Sequence, residues 1–302
     1  MGARTAAAER LRGIVSMIAA VFVFSIMDAL MKRLSVHYGT FQVSCLRCAA
    51  SLLPTGLALL WRRAWPLLCV RSPALHLFRA ALGVAMQTTF IFAVRRLSLA
   101  ETYSLFLCAP LLMTALSVPL QGERVPLRRW IAILVGLGGV LLILRPSGRG
   151  FGSPAAAAAA VAALCYALSA LTVRALGRTN SNASMVFWWL VLVGTGSGLL
   201  AIGDWRPLRG DDWGWLAGIG VSGALGQYWI TDAFRRAPPA VVGPFEYTSI
   251  LWAFGIDWVF WSASPTPQLL AGAGVVIAGG IFVIWDERRL AQVAMTPASP
   301  PP

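Results

Sequence analysis

The sequence predicts an all-α polytopic membrane protein whose ten transmembrane helices form two inverted five-helix repeats. Three observations carry this. The 302-residue chain is 58% hydrophobic and only 12% charged, with a mean hydropathy of +0.70, too apolar for a soluble domain that must cover its core with polar surface. Apolar runs of about 20 residues, enough to cross ~30 Å of hydrocarbon, recur along the whole chain. The sequence also resembles itself at a shift of about 140 residues. The net charge of +13 does not indicate nucleic acid, because the basic residues fall in pairs between apolar stretches rather than along one amphipathic face. They read as loop charges.

The first span, Gly13 to Lys32, closes on Asp28, Lys32 and Arg33 rather than on a small-residue cleavage site, so it is expected to remain as a helix. Residues 1–12 precede it as a cytoplasmic segment. The second, Phe41 to Trp61, stops before Arg62 and Arg63, and the third, Ala74 to Val94, before Arg95 and Arg96. The fourth, Leu99 to Leu120, is followed by Gly122 and Glu123; the fifth, Leu127 to Leu144, is glycine-rich. The sixth, Pro154 to Val173, opens on a proline, which suits a first helical position. Met185 to Gly203, Trp213 to Ala233, Ala240 to Trp261 and Leu269 to Trp285 complete the ten. Beyond Trp285 the DERR cluster is expected to stop the last helix, leaving 286–302 as a cytoplasmic, disordered, proline-rich tail.

Numbering the loops alternately puts about 15 basic residues on one side and about 8 on the other. The richer side holds Arg4, Arg10, Arg12, Arg124, Arg128, Arg174, Arg235, Arg288 and their neighbours, and the positive-inside rule makes it cytoplasmic, with both termini inside. Trp61, Trp130, Trp205, Trp213, Trp261 and Trp285 sit at span ends, where an amphipathic indole favours the headgroup region.

The repeat lays AVRRLSLA, from Ala93, on AFRRAPPA, from Ala233, and Gly139 on Gly279; ALMKRL, from Ala29, meets ALTVRAL, from Ala170, with one inserted residue. A duplicated unit of five spans must enter the membrane in opposite senses in its two copies, an architecture of alternating-access carriers. The spacing of the spans, the Arg-Arg pairs closing the third and eighth, Gly122 and Glu123 after the fourth, and the stretch ALGQYWITDAFRRAPPAVVGPFEYTSILWAF from Ala224 resemble the drug/metabolite transporter superfamily, in particular its EamA-type members. That resemblance implies two EamA repeats, 13–145 and 154–285. It also implies a secondary transporter of a small organic metabolite in a bacterial-type inner membrane, with export of an amino-acid-like, drug-like or metallophore-type compound favoured. Uptake of a metabolite such as riboflavin or S-adenosylmethionine is the alternative. The second copy reads SASPTP where many members keep Gly-Glu, which argues against a functional role for Glu123.

A charge at membrane depth costs at least ~2.5 to 3.5 kcal/mol, so it faces a partner or a wet cavity. Asp28 and Arg47 share a depth on adjacent spans and fit either a buried ion pair or a cavity-lining role in substrate or proton binding. Arg79 and Glu101 are further charges near span ends. Glu246 follows Gly243 and Pro244, which loosen the helix and free backbone groups. It is the leading candidate for a cavity carboxylate that couples to protons, with satisfaction by Gln227 or Tyr228 as the structural alternative. Gln87, Tyr103, Tyr166, Trp188, Trp189, Tyr247 and Trp252 add stacking faces and hydrogen bonds for a ligand. Gly218, Ser222 and Gly226 form a small-residue stripe for close helix packing. Cys45 and Cys48 make a C-x-x-C with no second pair, and His37 and His76 are isolated, so neither metal nor cofactor is expected.

No G-x-x-x-x-G-K-S/T loop is present to bind nucleotide phosphates. No nucleophile with a base, nor a His and carboxylate cluster, suggests an enzyme. A purely structural subunit would not need buried charges. The expected partners are a small-molecule substrate and the lipid bilayer, with protons as a candidate coupling ion and a homodimer as a candidate assembly.

Overall fold

In the computed structural model the description covers residues 3–94, 96, 102, 105–144, 153–252, 255 and 267–293. The helices are α1 (Ala3–Leu34), α2 (Thr40–Trp61), α3 (Pro73–Val94), α4 (Ala109–Gln121), α5 (Leu127–Leu144), α6 (Pro154–Leu176), α7 (Asn182–Ala201), α8 (Trp213–Arg236), the single turn α9 (Pro239–Val242) and α10 (Pro267–Val293). Short 3-10 turns occupy Trp65–Leu68, Ile202–Asp204, Gly210–Asp212 and Gly243–Thr248. No strand occurs among the described residues. Among the described residues five helical stretches are long and apolar enough to cross a bilayer: Ala7–Met31, Thr40–Trp61, Pro73–Ala93, Pro154–Leu176 and Asn182–Asp204.

Three elements depart from the sequence expectation. The first helix starts earlier than the first span: α1 begins at Ala3, and its 32 residues extend about 48 Å at 1.5 Å each, more than hydrocarbon alone requires. The DERR cluster does not end the last helix, which runs on to Val293. Glutamate and arginine, three of its four residues, have high helix propensity, and Asp286 is held by Arg128 of α5 at 2.8 Å. The third departure is the ninth span. Instead of one helix from Ala240, the chain makes the α9 turn and then the 3-10 stretch Gly243–Thr248, because Pro244 lacks a backbone donor and cannot continue an α-helical ladder.

Elsewhere local chemistry sets the boundaries. Ser153 caps α6 by accepting from Ala156 N–H at 3.2 Å, and Ser181 caps α7 by accepting from Ser184 N–H at 3.0 Å. Gly122 ends α4 in the left-handed region, φ 67°. Trp61, Trp205, Trp213 and Trp285 are exposed at helix ends, as an interfacial belt requires.

The packing is reciprocal. α1 lies along α8 and α3 along α6; α2 packs on α7 and α8, and α7 on α2 and α3; α5 pairs with α10. Glycines permit the closest approaches: a Cβ on Gly220 would stand 2.6 Å from the Ala50 carbonyl of α2, and one on Gly226 2.6 Å from the Phe24 ring of α1. The α8 stripe therefore serves tight packing. Cys48 and Cys45 do likewise on α2, lying against Gly194 and Gly198 of α7 as small apolar filling. Loop clasps close the two ends. At one, the Tyr38 hydroxyl donates to Asp212 Oδ2 (2.7 Å) and accepts from Arg209 N–H (2.9 Å), while Gln42 exchanges two hydrogen bonds with the Arg206 backbone. At the other, Ser181 and Trp188 donate to the carbonyls of Leu67 and Leu68 at 2.7 and 3.0 Å.

Candidate functional site

The 3-10 stretch Gly243–Thr248 lies at the meeting point of α1, α4, α5 and α10. It presents Glu246, 6% exposed, into the protein. The carboxylate accepts one hydrogen bond, from the Tyr166 hydroxyl of α6 at 3.1 Å. Tyr166 is fixed by rings: it stacks on Phe106 at 5.5 Å and meets Phe234 edge-on at 6.5 Å, and Phe106 meets Phe90 at 5.0 Å. The carboxyl thus has a single neutral donor and no ion-pair partner among the described residues. The partner comes from α6. Gln227 instead donates to Thr231 Oγ1 at 3.3 Å on its own helix. Tyr228, 44% exposed, falls on the stripe of Val221 and Leu225, away from the interior.

Tyr247 is buried with its ring against Gly136 of α5, where a Cβ would stand 2.6 Å from its Cδ2; its hydroxyl has no hydrogen-bond partner among the described residues. Trp252 meets Phe22 of α1 edge-on at 4.9 Å, with its indole nitrogen also unpartnered among the described residues. A broken helix carrying a carboxyl, a phenol and an indole with spare bonding capacity is a polar element inside an apolar bundle.

A second cluster centres on Trp189 of α7. The Arg47 guanidinium of α2 lies 5.4 Å from its ring and 5.7 Å from that of Phe24 in α1, and Arg79 of α3 lies 5.9 Å from Trp189. Arg79 is buried and donates to the Met185 carbonyl at 3.0 Å, which fixes α3 to the start of α7. Gln87, about two turns further along α3, is buried with its Nε2 unpartnered among the described residues. Trp188, in contrast, is pinned to Leu68 at one end of the bundle and does not face this cluster. No direct ion pair links Asp28 and Arg47 among the described residues; the Arg47 guanidinium lies over Phe24 and Trp189 instead. Tyr103 and Glu101 lie outside the described residues.

Sequence reading missed a charged network between α1 and α8. Asp232 accepts from Ser16 Oγ at 2.9 Å and from Arg236 Nε at 2.6 Å, and Arg236 continues to Glu9 at 2.5 Å. The i, i+4 spacing of Asp232 and Arg236 was the available signal. Ser16, Asp232 and Arg236 line an open groove of about 370 Å³ together with Leu11, Arg12 and Val15. Glu123 binds Arg174 of α6 at 3.1 Å, a structural bridge between α4 and α6.

Membrane-length helices around a broken helix and buried polar groups define a polytopic membrane transport protein. Comparison with known sequences gives the particular family. The chain belongs to the EamA-like transporter family, whose profile matches residues 11–145 and again residues 153–285. It is 27% identical over 270 residues to the pseudopaline exporter of Pseudomonas aeruginosa, covering 89% of this chain and 94% of that protein. It is 27% identical over 287 residues to the riboflavin transporter of Vibrio cholerae, covering 92% and 95% respectively. An S-adenosylmethionine uptake transporter of Rickettsia felis is 22% identical, covering 87% and 88%. A solved crystal structure superposes with a TM-score of 0.79 at 20% identity, covering 92% of this chain and 98% of that one, a likeness of fold. The chain is a multi-pass membrane transporter of a small molecule, and both export and uptake occur among its named relatives.

Proposed function

We propose that the chain is a secondary transporter of ten spans, built as two inverted five-span repeats with both termini cytoplasmic, that exports a small organic metabolite by alternating access. Glu246 is the central carboxylate of its path. The observation that carries this reading is a buried carboxyl on a proline-broken helix, held by one neutral donor rather than neutralised by a cation. An ionisable group placed so deep at a cost of several kcal/mol serves a path or a relay by default.

The repeat reading is supported by the packing. Advancing each span by five exchanges the α1–α8 pair with α6–α3 and the α2–α8 pair with α7–α3, and returns α2–α7 and α5–α10 to themselves. The twofold match of the family profile supports it as well. Export is preferred by likeness to the pseudopaline exporter, and uptake is the second reading by likeness to the S-adenosylmethionine uptake transporter. An inverted-repeat carrier works in either direction as gradients dictate. Protons are the proposed coupling ion, through Glu246. Expressed at the wild-type level, Glu246→Gln is expected to lose flux of the metabolite whose distribution depends on the gene; normal flux in that variant would sink the assignment.

A further inference from the structure

The open groove of about 370 Å³ between α1 and the end of α8 is lined by Leu11, Arg12, Val15 and Ser16 on one side and by Asp232 and Arg236 on the other. It faces away from the core. At 100° per residue Arg12, Val15, Phe22 and Ile26 fall within about 80° of one another on α1. All four are exposed, Val15 by 66%, whereas Ile14, Met17 and Val21 on the opposite side are buried. Residues 11–16 occupy the first turns of the apolar stretch Ala7–Met31, so the groove opens where lipid headgroups give way to acyl chains.

Its polar groups keep bonding capacity of both signs. Asp232, 6% exposed, accepts from Ser16 Oγ (2.9 Å) and from Arg236 Nε (2.6 Å) on Oδ2 alone, which leaves Oδ1 without a hydrogen bond among the described residues. Arg12 places one donor, Nη1, on Glu9 at 3.0 Å and keeps the others, its side chain 69% exposed. Arg236 uses Nε on Asp232 and Nη1 on Glu9, and keeps Nη2. The charges of Arg12, Arg236, Glu9 and Asp232 cancel.

The matching ligand is therefore neutral overall, brings an N–H cation for Oδ1 and an anion for the spare guanidinium donors, and carries a chain for the apolar stripe. A simple anion would meet the Asp232 carboxylate, and a fully methylated ammonium has no N–H to give. A soluble ligand would leave Val15, Phe22 and Ile26 uncovered.

We propose that the groove holds a phosphatidylethanolamine-type lipid of the surrounding leaflet. Its ammonium donates to Asp232 Oδ1, its phosphate accepts from Arg12 and from Nη2 of Arg236, and one acyl chain lies along Val15, Phe22 and Ile26. The lipid thereby bridges α1 and α8, a role independent of the solute that the carrier moves.

The test is native mass spectrometry of the purified full-length protein, giving apparent Kd values for dioleoyl phosphatidylethanolamine, phosphatidylcholine and phosphatidylglycerol, with glycerophosphoethanolamine as the headgroup without chains. Phosphatidylethanolamine is expected to bind at least about fivefold more tightly than either other lipid, and the chainless headgroup at least about tenfold more weakly than phosphatidylethanolamine. Arg12→Gln, at an exposed position, weakens phosphatidylethanolamine at least about threefold. Val15→Trp fills the groove and weakens all three lipids, and Asp232→Asn removes the advantage over phosphatidylglycerol. Equal binding of the three lipids, tighter binding of phosphatidylglycerol, equal binding of the chainless headgroup, or unchanged binding in Arg12→Gln and Val15→Trp would each overturn the proposal. Asp232→Asn also loosens α1 from α8, so if that variant fails to fold the lipid series and the other two variants decide.

Discussion

Replacing Tyr166 by Phe removes one atom from the interior and isolates the contribution of the Glu246 contact. The Tyr166 ring is held by Phe106 and Phe234, so phenylalanine keeps the packing and deletes only the hydroxyl that donates to Glu246 at 3.1 Å. A hydrogen bond to a charged group contributes about 1.5–3 kcal/mol. At 1.36 kcal/mol per factor of ten, a step that needs the ionised carboxylate would slow by about 10- to 150-fold. The assay is flux of the gene-dependent metabolite in cells or proteoliposomes at matched expression, alongside a thermal melt of the purified variant. Flux reduced at least about tenfold with a small change in melting is the expected outcome. Flux within about twofold of wild type would mean that the carboxylate and its donor lie off the path.

Other perturbations test the surrounding structure. Gly136→Ala places a Cβ 2.6 Å from Tyr247, an overpacking expected to cost about 1–3 kcal/mol and to displace the segment that carries Glu246, lowering both flux and the melting midpoint; unchanged values would contradict this packing. Asp232→Asn weakens the bonds from Ser16 and Arg236 and should destabilise the α1–α8 contact by about 1–3 kcal/mol. Combined with Arg236→Ala it should cost less than the two separate losses added together, and strictly additive midpoints would show that the residues act independently. Reporters fused at Arg124 and Gly150 should report opposite compartments, with Arg124 cytoplasmic; the same compartment for both would refute the span order.

The five membrane-length helices were readable because burial in lipid demands about 20 apolar residues and leaves little else that such runs can be. The Gly243–Pro244 break was readable for a similar reason, since proline acts on its own helix whatever surrounds it. Partners were not. Glu246 takes its donor from Tyr166, 80 positions away in sequence, whereas the nearer Gln227 and Tyr228 turn to Thr231 and to the helix exterior. Depth along two spans could bring Asp28 and Arg47 together, but whether their side chains close on one another depends on Phe24 and Trp189, which occupy the faces of the guanidinium. The charged end of the last helix was misread as a stop because Arg128, which compensates Asp286, lies in the other half of the chain.

The decisive measurement compares the metabolites inside and outside cells that lack the gene, carry it, or carry Glu246→Gln at equal abundance. The proposed function requires at least one small organic metabolite to accumulate inside the deletion strain, to be released again by the wild-type gene and to stay inside with Glu246→Gln. Indistinguishable metabolite distributions in the three strains would contradict it.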